Sequence, residues 1–244
     1  IIMTKIIKII LSILILSFNL TTLSYSQSNE LRESFKNSKS AYKSGNLIKA
    51  MHFTSKAIEL SKKDFGIEHF YTATLIANLG LIQYEKALYK DSKLSFIKAL
   101  TIRKKVLETD HDDIAETLNY IALANRKLFS YNKALEYHNE ALLIMSRSIT
   151  KSNPHAINER TRKGALYNAS AMHTKALIEI KNDNIFEAIG LLKTASRIFL
   201  HSLGKDKTEL REAYEELYQQ AKKVNDTELI DDIKKRLNKL NKEV

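Results

Sequence analysis

Apolar and small residues recur along this chain at helical spacings, and the same spacings return at a longer, fixed interval. Ala50, Ser92 and Ala134 stand 42 residues apart, as do Ala57, Ala99 and Ala141. The interval is interrupted once, by 12 extra residues between Ala134 and Ala188, and then resumes from Ala188 to Ile230 and from Ala195 to Leu237. Within one period the pattern splits into two helices. Ile76, Leu79, Gly80 and Tyr84 share one helical face, a break falls near Lys90-Asp91, and Ser92, Phe96 and Ala99 form the face of a second helix. Small residues at such positions let paired helices approach closely, and Phe96 fills the space towards the next pair.

This reading divides the chain into five helical hairpins, at about 31–64, 73–107, 115–148, 155–200 and 207–241. Lys43-Ser44-Gly45-Asn46 supplies the first turn, where Gly tolerates the left-handed backbone that ends a helix. The fourth hairpin has an extended first-helix region from His155 to Asn182, starting after Pro154. It holds either one overlong helix or an additional short one. The last helix, Thr227 to Asn241, alternates charges around Leu229, Ile233, Leu237 and Leu240. A polar outer face of that kind is what the terminal unit of a repeat array requires.

These residues resemble the tetratricopeptide repeat, in which a Leu-Gly pair lies early in each unit and small residues recur in its second helix. Leu79-Gly80 and Ile121-Ala122 take the first role. The 42-residue period narrows the resemblance to the kinesin-light-chain-like subgroup. Ala99-Leu100-Thr101-Ile102-Arg103-Lys104-Lys105-Val106-Leu107, then Asp110-His111-Asp112-Asp113, then Thr117-Leu118-Asn119-Tyr120-Ile121-Ala122 follow that subgroup's pattern. The resemblance implies an all-α, right-handed α-solenoid of about five tetratricopeptide-like hairpins whose first helices line a concave groove. The register places Arg32, Phe35, Lys39, Tyr42 and Lys43 on that groove in the first unit, Thr74, Ala77, Leu81, Tyr84 and Glu85 in the second, and Glu116, Asn119, Leu123, Arg126 and Lys127 in the third. His173, Leu177 and Lys181 follow in the fourth. The resemblance further implies that Asn119 hydrogen-bonds a peptide backbone.

Composition adds an address. Met3, the cations Lys5 and Lys8, the apolar run from Ile9 to Phe18 and Ser24-Tyr25-Ser26 before Gln27 read as an export signal over residues 1–26. The run is shorter than the roughly 20 residues that span a bilayer. The expected location is therefore the periplasm, the cell surface or the medium of a bacterium, with the mature chain not embedded in membrane. Without Cys there is neither a disulfide framework nor a lipid attachment point.

The remaining chemistry points away from catalysis. The net charge of +11 comes mostly from Lys, and the Tyr and Phe residues sit at packing spacings rather than as base-stacking platforms, so nucleic acid is not the expected partner. There is no His-Glu-x-x-His, no Gly-x-Ser-x-Gly and no Gly-rich phosphate loop. His138 stands where Phe96 stands one period earlier and is read as a packing residue, while Asp110, Asp112, Asp113 and Glu116 read as helix-capping acids. No metal or cofactor is expected. The sequence thus points to a non-enzymatic scaffold that binds another protein or a peptide segment. Two further readings stand beside it: a sensor or adaptor portion of a bacterial signalling system, and a basic binder of an anionic envelope polymer.

Overall fold

The computed structural model describes residues 27–150, 154–202 and 207–242. The expected export signal over 1–26 lies outside them. Among the described residues there are ten helices and no strand: α1 (Asn29–Lys43), α2 (Leu47–Phe65), α3 (Phe70–Glu85), α4 (Tyr89–Val106), α5 (Asp112–Lys127), α6 (Tyr131–Thr150), α7 (Pro154–Lys181), α8 (Ile185–Ser202), α9 (Thr208–Lys223) and α10 (Thr227–Lys242). Each helix packs on the next, so the chain is an all-α solenoid of five hairpins.

The small residues form the seam of each hairpin. Ala50, Ser92, Ala134 and Ala188 are all fully buried, and so are Ala57, Ala99, Ala141 and Ala195 one to two turns later. Ser92 also donates its hydroxyl to the carbonyl of Gly80 across the hairpin, at 2.8 Å. Gly80 permits a close approach: a Cβ there would lie 3.1 Å from three atoms of the Phe96 ring, which would have to give way by a few tenths of an ångström. That ring is itself stacked on Tyr120 of the next unit at 5.0 Å. Gly80, Phe96 and Tyr120 thus form one continuous contact from the second unit to the third.

The turns inside the hairpins keep the same period. Gly45, Ala87, Phe129, Asp183 and Asn225 all have positive φ, between 56° and 73°. Four of the five are not glycine, and Phe129 at φ 58° is the most costly, since a left-handed residue with a Cβ is disfavoured by about 1–2 kcal/mol. The next residue caps the second helix. Asn46 Oδ1 accepts from the Lys49 amide and Asp226 Oδ1 from the Leu229 amide, both at 3.0 Å. Leu88 occupies that position before α4 and makes no such bond. At the other edge His69 and His111 cap α3 and α5, each accepting through Nδ1 from the amide two residues on, at 3.2 and 3.1 Å. Capping is thus why the spacer histidines keep the period.

Two expectations change in detail. The turn in the second unit falls at Lys86–Leu88, ahead of the break expected near Lys90-Asp91, because Tyr89 and Lys90 already belong to α4. The fourth unit contains one overlong helix: α7 has 28 residues against 16 in α3 and in α5, which absorbs the whole insertion. Its extension is held by Arg160, whose Nε donates to Asp112 Oδ2 at 2.6 Å, and by Tyr167, buried against Ile114, Leu118 and Met145.

Two stability measurements follow from this geometry. Leu88→Asn supplies the missing cap and should raise the unfolding free energy by about 1 kcal/mol in urea titration. Gly80→Val drives a branched side chain into the Phe96 ring and should lower it by about 1–3 kcal/mol, with partial recovery in Gly80→Val/Phe96→Leu. A neutral Gly80→Val would refute the close-approach argument.

Candidate functional site: the inner face of the solenoid

First helices touch first helices, α3 against α5 and α5 against α7, so these helices line the inner face. Two different environments lie along it.

Between α3 and α5 the face opens into a groove of about 240 Å³. Phe70, Thr74, Ala77, Asn78 and Leu81 form one wall and Asp113, Glu116, Thr117 and Tyr120 the other, over a floor of Phe96 and Arg103. The floor is rigid. Arg103 is buried, donates to the Asp113 carbonyl oxygen at 2.9 Å and to the Thr117 hydroxyl, and lies 3.6 Å from the Asp113 carboxylate. Burial pulls its guanidinium pKa down against the opposing pull of Asp113 and Glu116. The walls offer apolar patches separated by an amide, hydroxyls and the Glu116 carboxylate, which is what an extended segment with alternating side chains needs.

Beyond Leu81 the inner face closes. Arg126 is 3% exposed, and its Nη2 lies 2.5 Å from Glu209 Oε1 and 3.5 Å from Glu212 Oε2, both on α9. Lys127 Nζ meets Glu212 Oε1 at 2.6 Å, and the Ser170 hydroxyl of α7 donates to Glu209 Oε2 at 3.2 Å. Burial lowers the Arg126 pKa, but Glu209, Tyr84 and Glu212 outweigh it and hold the guanidinium charged. Tyr84 faces the same cluster; burial, then the glutamates, push its phenol far above the usual range.

Behind Arg126 lies a pair of buried histidines, His138 and His173. His138 Nδ1 is 3.0 Å from Asn119 Oδ1; an amide oxygen can only accept, so Nδ1 carries the proton and Nε2 is a bare acceptor. Nε2 of His138, Nη1 of Arg126 and Nδ1 of His173 have no hydrogen-bond partner among the described residues. Burial first, and the Arg126 charge second, depress both histidines, His138 to about 3.

Residues assigned to the groove from the register therefore fall into three main groups. Arg32, Phe35, Lys39, Tyr42 and Lys43 are exposed on α1. Thr74 and Leu81 line the open groove. Tyr84, Asn119, Leu123, Arg126 and Lys127 belong to the closed part: Asn119, Leu123 and Arg126 are buried at 8, 7 and 3%, and Asn119 is engaged by His138. His138 is a packing residue with a polar duty added. Asn78, Glu209 and Glu212 were not singled out. Glu209, Glu212 and Glu216 do form an i, i+3, i+7 acidic stripe beside the apolar face of α9, a signal legible once a basic partner is sought. Among the described residues no group of three or more His, Asp or Glu is placed to hold a metal ion.

Comparison with known proteins agrees with this architecture. Residues 89–146 match the tetratricopeptide repeat family. No curated protein matches the sequence. Among solved structures, a putative kinesin light chain from Podosopora anserina with nearly identical TPR-like repeats is 13% identical, with a TM-score of 0.52 over 86% of this chain and 94% of that one. MamA from Desulfovibrio magneticus RS-1 is 11% identical, with a TM-score of 0.53 over 89% and 98%. A Rap protein complexed with Competence and Sporulation Factor is 19% identical, with a TM-score of 0.65 over 92% of this chain and 57% of that one. At these identities the likeness establishes the fold.

The buried histidines give the site a pH signature. Both are neutral in the folded chain and titrate near 6.5 when unfolded, so stability is complete above about pH 6.5 and is lost as pH falls from there towards 3. Each should contribute a loss of about 1.4 kcal/mol per pH unit. Urea titrations at decreasing pH should show a shallower slope in His138→Gln; an unchanged slope would show that His138 does not resist protonation. Glu209→Gln/Glu212→Gln leaves a buried guanidinium without its counter-charge and should cost about 3–5 kcal/mol in the same assay.

Proposed function

We propose that this solenoid of tetratricopeptide-type hairpins is a non-enzymatic scaffold that holds an extended protein segment in the groove between α3 and α5. The observation that carries the reading is that groove itself. It is the stretch of inner face where Thr74, Ala77, Asn78 and Leu81 stay partly exposed, while residues 121–126 of α5 are all buried. Asn78 offers a donor and an acceptor together, as an extended backbone requires. Leu81 and Ala77 offer apolar contact to alternate side chains. Exposed Phe35, Lys39, Tyr42 and Lys43 on α1 continue the inner face at the N-terminal end and extend the reach to a longer segment. Fold likeness to a Rap protein complexed with its factor supports the same use of a solenoid.

Export to the periplasm, the cell surface or the medium of a bacterium is part of the proposal, and it rests on the pattern of residues 1–26. A role as sensor or adaptor in a signalling system is compatible with the same groove. Binding of an anionic polymer instead would use the Lys-rich surface and would weaken steeply with salt.

The test is capture of partners from an envelope fraction by the full chain, compared with Leu81→Glu and with Asn78→Ala. Both residues line the groove without taking part in the buried polar cluster. Captured partners should fall at least tenfold for Leu81→Glu, since about 1.4 kcal/mol of lost contact is a factor of ten. Retention of every partner by both variants, with unchanged circular dichroism, would overturn the groove. Alanine at Asn119 or Arg126 would not serve, because both are interior groups.

A further inference from the structure

All turns within the hairpins lie on one edge of the solenoid, because every first helix runs towards that edge and every second helix away from it. Four successive turns there expose a large apolar side chain: Ile48 at 72%, Leu88 at 38%, Phe129 at 79% and Phe186 at 79%. Single exposed apolar residues are ordinary. These are not ordinary, because the chain breaks its own local rules to place them. Phe129 holds the left-handed position that is Gly, Ala, Asp or Asn in the other four turns, and its exposed ring meets the edge of Tyr131, at 6.3 Å between centroids. Leu88 holds the capping position that is Asn, Ser, Asn and Asp in the other four turns, and its side chain makes no cap hydrogen bond.

The charges on this edge break a rule as well. Lys49, Lys90 and Lys133 each stand in the first turn of a second helix, where the helix dipole disfavours a cation. The second unit sets Asp91 beside Lys90, and the fourth and fifth units carry Glu187 and Glu228 there instead, as the dipole prefers. Between the third and fourth turns lies a concavity of about 370 Å³, formed by Phe129–Lys133 on one side and Ile178, Lys181 and Asn182 on the other. Lys133 and Lys181 both line it, and neither has an ion-pair partner among the described residues.

We propose that this edge docks on an anionic phospholipid surface, with Phe129 and Phe186 entering the interface, Ile48 and Leu88 following along the row, and the cleft of Lys133 and Lys181 receiving a headgroup. Apolar tips that protrude singly, with lysines between them, suit a soft interface into which each tip sinks independently. A protein partner would need a continuous apolar patch and a matching pocket for each tip. A second copy of the chain would bring lysines against lysines. The groove on the inner face stays open in such a docked state, so the proposal is independent of the peptide-binding reading.

The chain has no Trp, which makes a clean reporter possible. Phe129→Trp and Phe186→Trp would be placed singly in the full chain, with Tyr71→Trp, exposed on the opposite edge, as control. Mixed phosphatidylcholine–phosphatidylglycerol vesicles should shift the emission of the first two to the blue and leave the third unmoved, and pure phosphatidylcholine should shift none. Lys133→Ser should weaken vesicle binding about fivefold. Phe129→Gly relieves the turn, so it should raise the unfolding midpoint while lowering vesicle retention, a combination that a purely structural residue would not give.

Unshifted emission at both positions overturns the proposal, even if the chain sediments with vesicles through some other segment. So does retention of Phe129→Gly equal to that of the parent chain. A blue shift of Tyr71→Trp equal to the other two would likewise refute docking by this edge.

Discussion

A guanidinium withdrawn from water must be given counter-charge, and in this chain the need is met from 83 residues away. Arg126 is nearly inaccessible and is held by Glu209 and Glu212, with Lys127 sharing the second glutamate. A buried pair of this kind is a poor source of net stability, because desolvation consumes most of the attraction. Its effect is on geometry. A buried charge cannot tolerate the loss of its partners, so the fifth unit is held at one position relative to the third. A solenoid whose units touched only their neighbours would lack that restraint. The array here carries a cross-tie through its centre.

The cross-tie explains the unequal character of the inner face. Because α9 reaches α5, the C-terminal half of α5 is enclosed on all sides, and its inner positions become interior positions. The overlong α7 serves the same arrangement. Its added turns are fixed to the start of α5 through Arg160 and Asp112, and its Ser170 donates to the very glutamate that holds Arg126. The insertion is thus structural along its described length, while the ligand-sized space is pushed back to the groove between α3 and α5. Buried His138 and His173 are the cost of this polar centre: they must stay neutral for the interior to persist, and each leaves a nitrogen without a partner among the described residues.

Most of the fold was legible because small residues at a fixed period are hard to account for except as close helix contacts. Ala50, Ser92 and Ala134 announce those contacts without any knowledge of the third dimension, and the spacer histidines announce themselves once capping is considered. The closed part of the inner face was not legible in the same way. The register puts Asn119 and Arg126 on the inward side of a first helix. Whether such a side meets solvent or another helix depends on the superhelical path, and a period measured along the chain carries no curvature. Only the acidic stripe of α9, set against the basic end of α5, encodes that contact, and it is a pairing across 83 residues rather than a motif. The α1 residues, Thr74 and Leu81 stay accessible because none of the described residues folds back over them.

A repeat array also offers an internal control that a single domain lacks. Every turn must solve the same backbone problem, so the commonest solution shows what folding alone demands, and a departure measures some other demand. Asp183 and Asn225 solve the left-handed turn at little cost, and Asn46 and Asp226 solve the cap. Phe129 and Leu88 solve neither, and the lysines in the first turns of α2 and α6 oppose their helix dipoles, where Asp91, Glu187 and Glu228 comply in the other three units. All of these departures lie on one edge, and none is itself a residue of the small-residue seam or of the buried ion cluster. Folding constraints and departures from them are therefore separated in space. The interior fixes the shape and the inner groove, and the turn edge is where the sequence gives up stability for a surface.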